Sequence, residues 1–410
     1  MIVKMYWNRA IFLHCLFSLA ISSLSFHQIN GYDWRDPLGN ITIRWDIISP
    51  TPDGYVAVVN ITNYQKYRKV DAPGWKLSWR WAHKEIIWTT IGARVADQGN
   101  CRRFKKNVPT SCAKAPTIFD LTANDDEVKQ NQKIDGCCKG GVLLSRVQSY
   151  HNSTTAFQIA VGGEGSSNIT WRLPTNYTFR TPHGAYSCSR ARVVPNTRFI
   201  SADRRRITQA MKTWKVECSY KPPSQFKDVP NQCCVSLSSA LGVNTSCPIC
   251  SCSCPNQNHS CSTKRHDRLV SKIECTKHMC PVNINWQVIN HQRKVRVTIS
   301  NLNYAKNYQD WIMLAEHPAF DNSTTLLHAN HKFLSPKSYS NKMEVVWGRR
   351  GYNDALTPFG KKGSSIKMVM VFKRYKAGHH DRVATADWKN PPDAIFFNGD
   401  LCVIPNTTQF

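Results

Sequence analysis

Residues 75–81 read WKLSWRW, and this stretch indicates the fold class. Its large apolar side chains occupy every second position, namely Trp75, Leu77, Trp79 and Trp81. Successive side chains of a β-strand point to opposite faces, so a period of two is typical of a strand with one covered face. The stretch therefore predicts a strand whose other face carries Lys76, Ser78 and Arg80.

The same alternation recurs along the chain, and no long amphipathic helix interrupts it. Strand-like segments cover residues 41–47, 55–61, 282–288, 293–300 and 365–374. Several short strands at such spacings are typical of antiparallel sandwiches. The pattern predicts a mainly β protein with one β-sandwich at residues 32–180, a cysteine-rich region at 181–281 and a second β-sandwich at 282–405.

The first 25 residues have the layout of a secretory signal peptide. Lys4 and Arg9 form a short positive head, residues 10–24 are mostly apolar, and Ser23 and Ser25 suit a cleavage site. A membrane-spanning helix needs about 20 apolar residues, and this core is shorter. The sequence therefore predicts secretion with cleavage near Ser25.

The cysteines are the next feature, and six of them crowd residues 233–254, CCVSLSSALGVNTSCPICSCSC. Disulfides persist outside the cytosol, whereas thiolate zinc sites belong mainly to reducing compartments. A zinc or redox centre is the alternative, but the spacing matches neither a paired zinc ribbon nor a helix-start redox motif. We predict no metal, and disulfides at Cys101, Cys112, Cys137, Cys138, Cys188, Cys218, Cys233, Cys234, Cys247, Cys250, Cys252, Cys254, Cys261, Cys275, Cys280 and Cys402.

Two expectations about pairing follow from position alone. Eleven cysteines lie between Cys188 and Cys280, an odd number, so at least one must pair outside that segment. The neighbours Cys137-Cys138 and Cys233-Cys234 are expected to reach different elements. A trans peptide holds adjacent Cα atoms about 3.8 Å apart, and disulfides favour about 4.4–6.8 Å.

Nine Asn-x-Ser/Thr sequons agree with export. They are Asn40, Asn60, Asn152, Asn168, Asn176, Asn244, Asn258, Asn322 and Asn406.

The chain is strongly basic, with a formal charge of +27 that becomes +25 once Lys4 and Arg9 leave. Clusters occur at residues 102–106, 204–206, 361–362 and 373–376. Outside the cell the available polyanions are acidic polysaccharides, such as pectin, and the membrane surface, so nucleic acid is not expected. Solvated loops are the alternative reading of each cluster taken singly.

Aromatic residues are the candidate binding groups because their faces stack on the apolar faces of sugar rings. The candidates are Trp45, Tyr55, Trp75, Trp79, Trp81 and Trp88. Core packing is the alternative, since large aromatics also dominate protein cores, and spacing alone does not separate the two. No catalytic residue or cofactor is expected, because acidic residues are few and no carboxylate pair suited to glycoside hydrolysis is visible.

Taken together, several motifs resemble the plant COBRA family. They are GNITIRWD, TPDGYVAVV, NYQKYR, APGWKLSWRWAHKEIIW, GCCKGGVL, TQAMKTWKVECSY, CCVSLSS, CPICSC, CTKHMC and FNGDLCV. The resemblance implies a cellulose-binding-like amino-terminal β-sandwich, a Cys-Cys-Val-Ser middle region and an immunoglobulin-like carboxy-terminal β-sandwich. It also implies a non-catalytic wall protein that binds cellulose or a related polysaccharide in cellulose deposition, microfibril organisation and oriented cell expansion. A carbohydrate-active enzyme and a pectin-binding protein are the alternatives.

Three positions depart from the family pattern. Pro50 stands where relatives tend to have tryptophan, which would weaken cellulose binding. Ser111-Cys112 stands where they tend to have Cys-Cys, which would alter pairing. Relatives carry a glycosylphosphatidylinositol (GPI) anchor, but no hydrophobic tail follows Cys402. We therefore expect a released protein that meets the membrane only indirectly.

Overall fold

The computed structural model describes residues 33–122, 134–163, 171–182, 184–200, 204–221, 233–238, 244–245, 281–289, 293–334, 342–372 and 388–405. All regular structure in these ranges is β-strand, so the prediction of a mainly β protein is confirmed. Within the same ranges no helix is long and apolar enough to cross a membrane. The predicted signal segment, residues 1–25, lies outside them.

The first sandwich contains thirteen strands. They are β1 (Ile41–Thr51), β2 (Gly54–Asn63), β3 (Lys76–Arg80), β4 (Ile86–Ile91), β5 (Ala93–Val95), β6 (Thr117–Asp120), β7 (Thr154–Gly162), β8 (Thr175–Thr181), β9 (Gly184–Cys188), β10 (Arg192–Val194), β11 (Arg198–Ile200), β12 (Ile207–Gln209) and β13 (Lys212–Lys221).

Eleven of these strands form one long sheet that curls around a single core. The strand order is β4-β7-β2-β1-β13-β9-β8-β3-β6-β5, with β10 also paired to β13, while β11 and β12 form a small separate sheet. The end strands β4 and β5 follow one another in the chain and are separated only by Gly92. Gly92 has φ +82°, a conformation that glycine adopts without steric cost, so it permits the sharp turn there.

Strand β1 shows how the sequence pattern produces this packing. Its apolar side chains Ile41, Ile43, Trp45 and Ile47 are all buried and point into the core. On either side β1 pairs antiparallel with β2 and β13, so Trp45 lies opposite both Val59 and Trp214. Its alternate residues, Thr42, Arg44 and Asp46, point to the outer face of the sheet.

The first sheet extends past residue 180, where the sequence analysis places its boundary. Strands β9, β10 and β13 lie within the predicted middle region, and β13 forms the centre of the sheet beside β1. A central strand forms hydrogen bonds along both edges and packs one face on the core, so β13 belongs to the first sandwich. The described residues of the predicted region 181–281 are thus divided between the two sandwiches.

The second sandwich contains the other thirteen strands. They are β14 (Cys233–Ser238), β15 (Asn244–Thr245), β16 (Val282–Ile289), β17 (Lys294–Asn301), β18 (Tyr308–Gln309), β19 (Ile312–Glu316), β20 (Thr325–Leu327), β21 (Asn330–Leu334), β22 (Met343–Trp347), β23 (Ala355–Leu356), β24 (Ser365–Val371), β25 (Ala394–Phe397) and β26 (Asp400–Leu401).

Two sheets enclose the core of this second unit. One has the order β15-β14-β16-β17-β24-β20 and the other β21-β22-β19-β25-β26, and β18 pairs with β23 apart from both. Between them lie buried side chains that include Trp286, Trp311, Phe320 and Met368. Strand β14, from the predicted cysteine-rich region, runs parallel to β16 and so completes the first of these sheets.

The two sandwiches contact one another through the outer face of the five-stranded sheet of the second sandwich. Tyr67 of the first unit packs on Phe396, with ring centroids 5.4 Å apart, within a buried cluster that includes Ile312 and Leu314. Arg35 forms an ion pair with Glu316, whose side chain is 1% exposed. Buried apolar contacts and an ion pair with a buried carboxylate therefore fix the two units against each other.

The structure contains disulfides, as predicted, at Cys101–Cys112, Cys137–Cys138, Cys188–Cys218 and Cys233–Cys402. The bond to Cys402 leaves the crowded segment, as the odd count requires. Cys234 also forms a disulfide, and not with its neighbour. The remaining predicted cysteines, Cys247, Cys250, Cys252, Cys254, Cys261, Cys275 and Cys280, lie outside the described residues.

The expectation for Cys137 and Cys138 is wrong, because these neighbours bond to each other with Cα atoms 3.8 Å apart. The turn between Gly136 and Gly141 brings the two thiol groups together. Cys138 has φ +71°, and its N–H donates to the buried carboxylate of Asp120. A tertiary hydrogen bond thus holds a local backbone shape that spacing alone does not predict.

Candidate functional site

Five of the six candidate aromatic residues belong to the core. Trp45, Tyr55, Trp75, Trp79 and Trp81 are between 0 and 3% exposed. Trp45 stands at the centre, with its ring stacked on Trp214 at 5.4 Å and edge-on to Trp79 at 5.2 Å. These five rings therefore offer no face to a polysaccharide in this structure.

Trp88, the sixth candidate, is partly buried and has a fixed position. Its indole N–H donates to a carboxylate oxygen of Asp53 at 2.8 Å. The ring of Phe104 packs edge-on against it with centroids 5.4 Å apart. Trp88 thus anchors the loop that carries Phe104.

A groove of about 830 Å³ lies on the outer face of the first sheet. Its floor crosses β13, β1, β2 and β7, which are neighbours in the sheet. These strands present the polar residues that alternate with the core residues. The floor contains Thr42, Arg44, Asp46, Asn60, Thr62, Thr154, Ala156, Lys215 and Glu217.

Two exposed tyrosines and an arginine stand at one end of this groove. Tyr64 is 44% exposed and Tyr150 is 66% exposed. The guanidinium of Arg146 lies over both rings, 5.3 Å from the centroid of Tyr64 and 3.7 Å from that of Tyr150. We call Tyr64, Arg146 and Tyr150 the aromatic end of the groove. Stacking with a cation is worth about 0.5–1 kcal/mol at exposed sites and restrains the rings.

The position of Tyr64 follows from hydrogen bonds to its neighbours. Asn63, which ends β2, is fully buried and donates its amide to the carbonyls of Arg68 and Leu144 at 3.0 Å. The Ser145 hydroxyl donates to the Lys66 carbonyl at 2.7 Å. The segment after β2 is therefore tied to the segment that carries Arg146 and Tyr150.

Sequence reasoning missed Arg146 and Tyr150. Neither belongs to an alternating strand, since both lie in turns between β6 and β7. Tyr64 lies in the NYQKYR stretch that supports the family resemblance, but nothing local marks it as more exposed than Tyr67. The signal that distinguishes these residues is their common location, which arises only on folding.

The turn at residues 136–141 forms another part of the rim of the groove. Asp120 accepts N–H groups from Cys138, Lys139 and Gly141 at 3.0–3.2 Å. Burial raises the pKa of Asp120, although these hydrogen bonds oppose the rise. The Lys139 ammonium donates to the carbonyls of His151 and Thr154, and burial lowers its pKa. The rim is thus fixed to β7.

Charge in the groove is nearly balanced. The cations that line it are Arg44, Lys66, Lys139, Arg146 and Lys215, and the carboxylates are Asp36, Asp46, Asp135 and Glu217. Three of these carboxylates have protein partners: the Lys66 backbone N–H for Asp36, the Thr213 hydroxyl for Asp46, and Arg192 with Lys215 for Glu217. This arrangement suits an uncharged ligand rich in hydroxyl groups.

The predicted glycosylation positions fall into three groups. Asn40 and Asn60 line the groove, and Asn152 follows the aromatic end by two residues. Asn176 is exposed on β8, Asn244 begins β15, and Asn322 lies in the turn before β20. The other three, Asn168, Asn258 and Asn406, lie outside the described residues.

No group of three or more His, Cys, Asp or Glu side chains arranged to hold a metal ion occurs in the part of the chain that the structure describes. Cys247, Cys250, Cys252 and Cys254 of the crowded segment lie outside that part.

Two family models match the chain, the COBRA N-terminal domain at residues 55–221 and the COBRA family C-terminal domain at residues 260–409. The chain belongs to the COBRA family. It is 40% identical to Protein COBRA of Arabidopsis thaliana over 97% of this chain and 90% of that protein. It is 43% identical to COBRA-like protein 2 of Oryza sativa subsp. japonica, over 92% and 84% respectively. No solved structure matches.

The COBRA N-terminal model ends at residue 221, which coincides with the end of β13. Two of the departures from the family pattern also have a structural account. Ser111 is buried and donates its hydroxyl to the carbonyl of Asp97 at 2.9 Å, while Cys112 pairs with Cys101. Pro50 is exposed near the turn between β1 and β2, opposite Tyr55.

Proposed function

We propose that this COBRA-family protein is a secreted, non-catalytic protein that binds cellulose or a related neutral polysaccharide in the plant cell wall. In this role it acts in cellulose deposition, microfibril organisation and oriented cell expansion. The observation that carries the proposal is the groove, which combines a charge-balanced polar floor with exposed tyrosine rings at one end.

The chemistry of the groove matches a glucan chain. Neighbouring strands lie about 4.8 Å apart, so a floor of four strands spans about 14 Å, the length of a short oligosaccharide. Thr42 and Thr62 offer hydroxyl groups to sugar hydroxyls. Tyr64 and Tyr150 offer ring faces to the apolar face of a pyranose.

Binding without hydrolysis is favoured by the state of the carboxylates. A glycosidase needs one carboxyl group to donate a proton and a second to act as nucleophile or base. In the groove Asp46 is fully buried and bonded to Thr213, and Glu217 is held by Arg192 and Lys215. Asp46 is therefore covered by protein and Glu217 already accepts from two cations, so these two do not form an open pair of carboxyl groups that faces a ligand.

Secretion is supported by the oxidised cysteines, since disulfides persist in extracellular compartments. The relatives that the chain matches over most of its length come from plants. A wall polysaccharide is therefore the ligand that such a protein would meet.

The test is a sedimentation assay on crystalline cellulose, combined with a measurement of soluble sugar released over the same period. We expect the protein to remain on cellulose and to release no sugar. Replacement of both Tyr64 and Tyr150 by alanine should reduce retention while the thermal unfolding temperature stays unchanged. In the matched control, alanine replaces Tyr304 and Tyr352, two exposed tyrosines of the second sandwich. This variant should retain full binding.

Release of sugar by protein that does not remain on cellulose would contradict the proposal and favour the enzyme alternative. Equal loss of retention in the groove and control variants would show that the groove is not the site. Loss of retention at moderate salt alone would indicate charge-driven adsorption, because such attraction is screened over about 8–10 Å.

A further inference from the structure

A second concavity lies in the first sandwich, just before β4. It has a volume of about 460 Å³ and is bordered by His83, Lys84, Glu85, Arg102, Arg103 and Lys114. We call it the basic cleft. It shares no lining residue with the groove of the proposed function.

The loop that supplies the two arginines is held in place at both ends. Cys101 and Cys112 are bonded to each other, and the Cys112 N–H donates to the Gln98 carbonyl at 2.7 Å. Between them Phe104 packs on Trp88, and the guanidinium of Arg103 lies 4.9 Å from the Phe104 ring centroid. The positive charges of this loop are therefore carried on a fixed backbone.

The opposite side of the cleft is joined to the same loop region. The Lys114 ammonium donates to the His83 carbonyl at 2.9 Å, and the Glu85 carboxylate accepts the backbone N–H of His83 at 2.6 Å. The hydrogen bond from Lys114 thus links the two walls of the cleft. It uses one of the three N–H groups of the ammonium, and the other two can donate to a ligand.

Charge distinguishes the basic cleft from the groove. Its lining contains Lys84, Arg102, Arg103 and Lys114 against a single carboxylate, Glu85. The groove has five cations and four carboxylates. A concave surface with an excess of one sign concentrates ligands of the opposite sign. Arginine in particular forms two parallel hydrogen bonds with a carboxylate.

We propose that the basic cleft binds a carboxylate-bearing sugar of an acidic polysaccharide, of the uronate class. The cleft is concave and of a size to admit a sugar ring. A polyuronate chain carries such a ring, with its carboxylate, at every residue. An anionic membrane is the other source of such charge. The aromatic ring of this loop, Phe104, packs inward on Trp88 and is not directed outward to enter a bilayer.

This proposal does not rest on the proposed function, because it concerns different residues and a ligand of different charge. A protein with both sites would bridge a neutral glucan and an acidic matrix polysaccharide.

The test uses the disulfide-bonded protein on immobilised polygalacturonate and, in parallel, on the same polymer after methyl esterification. The cleft variant carries Arg102→Gln, Arg103→Gln and Lys114→Gln. The control variant removes the same charge from three exposed lysines of the second sandwich, by Lys361→Gln, Lys362→Gln and Lys367→Gln. A further variant, Glu85→Gln, removes the carboxylate from the cleft.

We expect the protein to bind polygalacturonate and not its methyl ester. The cleft variant should bind about tenfold more weakly, since exposed ion pairs contribute a fraction of a kcal/mol each. The control should change the affinity less than the cleft variant does, and Glu85→Gln should strengthen binding. Retention of both triple variants on cellulose should be unchanged, which separates this proposal from the previous one.

Equal weakening by the cleft and control variants would overturn the proposal, because it would show that net charge and not the cleft holds the polymer. Equal binding to the esterified polymer would overturn it as well. Vesicles containing phosphatidylserine provide the last arm. If the cleft variant loses binding to these vesicles but keeps its binding to polygalacturonate, the site is one for lipid headgroups.

Discussion

Arg146 places its guanidinium 3.7 Å from the ring centroid of Tyr150, at the end of the polar groove on the first sheet. The cation covers one face of the ring and leaves the side chain 66% exposed. A tyrosine held in this way has little rotamer freedom left to lose when a ligand stacks on its other face. This pair is therefore the most informative point at which to test polysaccharide binding.

Replacing Tyr150 by alanine should weaken cellulose binding about tenfold, since stacking of a ring contributes about 0.5–1.5 kcal/mol beyond buried area. The free energy of unfolding should change by less than about 0.5 kcal/mol, as expected for an exposed position. Isotherms on cellulose and urea denaturation measure the two quantities. Tyr352→Ala, at a position 69% exposed in the second sandwich, is the control and should change neither.

Replacing Trp79 by alanine should have the opposite profile. The ring is 1% exposed and contacts Trp45 and Trp81 edge-on, so its removal opens a cavity in the core. We expect a loss of about 3–5 kcal/mol in the free energy of unfolding. If Trp79→Ala instead abolished cellulose binding with unchanged stability, the ring would be a ligand contact and the buried position would be contradicted.

The ion pair between Arg35 and Glu316 should stabilise the contact between the sandwiches. Arg35→Ala leaves a carboxylate that is 1% exposed without this partner, which costs about 3–5 kcal/mol when a buried pair is broken. Urea denaturation measures the loss. Adding Glu316→Gln should restore part of it, because the buried charge that Arg35 offset is then removed.

A surface pair provides the matched control for this experiment. Arg192 and Glu217 are 59% and 34% exposed, and pairs of this kind contribute about 0–1 kcal/mol. Arg192→Ala should therefore change the free energy of unfolding by less than about 1 kcal/mol. A loss at Arg35 no larger than that at Arg192 would show that the interface pair contributes little.

Glu344 should make the stability of the second sandwich fall as the pH rises from about 4.5 towards 8. Burial, with a smaller effect from Asp321, raises the pKa of its carboxyl from 4.5 to about 8. The folded state therefore holds this proton more tightly than the unfolded chain does, and stability is lost as pH rises towards 8. The Nδ1 atom of His331 lies 2.6 Å from Oε1 of Glu344, and burial lowers the pKa of His331 below 6.5.

The two groups act in opposite directions, and their pH ranges differ. His331 makes stability rise with pH up to about 6.5, its unfolded value. Between about pH 6.5 and 8 only Glu344 of this pair contributes, and the free energy of unfolding should fall by about 1 kcal/mol per pH unit. Urea denaturation across this range should show the slope, and Glu344→Gln should reduce it. An identical slope in the variant would contradict the assignment.

A glycan at Asn60 should compete with polysaccharide for the groove. Asn60 lies on β2 in the floor, so an attached glycan would occupy the space above Thr42 and Thr62. We expect Asn60→Gln, produced in a glycosylating host, to bind cellulose more tightly than the unmodified sequence. Asn322→Gln, in a turn of the second sandwich, is the control and should leave binding unchanged. Mass spectrometry must first establish that Asn60 carries a glycan, and its absence there would remove the expected difference.

The strands themselves were predictable because alternation is a local property. The buried residues of β1 and the apolar face at residues 75–81 are the ones that the period of two indicates. Two sandwiches and at least one bridge that leaves the segment of crowded cysteines were also within reach of the sequence. The sandwiches follow from the strand pattern and the bridge follows from the odd number of cysteines, and folding changes neither.

The candidate site was less accessible, and the tryptophans show why. A ring-rich strand face is equally suited to a core and to a ligand, and which it becomes depends on whether another part of the sheet covers it. Here the sheet curls, so that Trp45 and Trp79 meet Trp214 inside. The tyrosines that remain outside, Tyr64 and Tyr150, come from segments far apart in sequence.

The sequence by itself thus determined the strand pattern, the family and the presence of disulfides, because neighbouring residues and residue counts carry that information. Tertiary structure alone decided the exposure of each aromatic ring and the assembly of the groove and basic cleft. It also decided the bond between Cys137 and Cys138, which depends on the distant carboxylate of Asp120. Exposure, local charge balance and turn shape are set by contacts between segments, and those contacts exist only once the sheet has closed around its core.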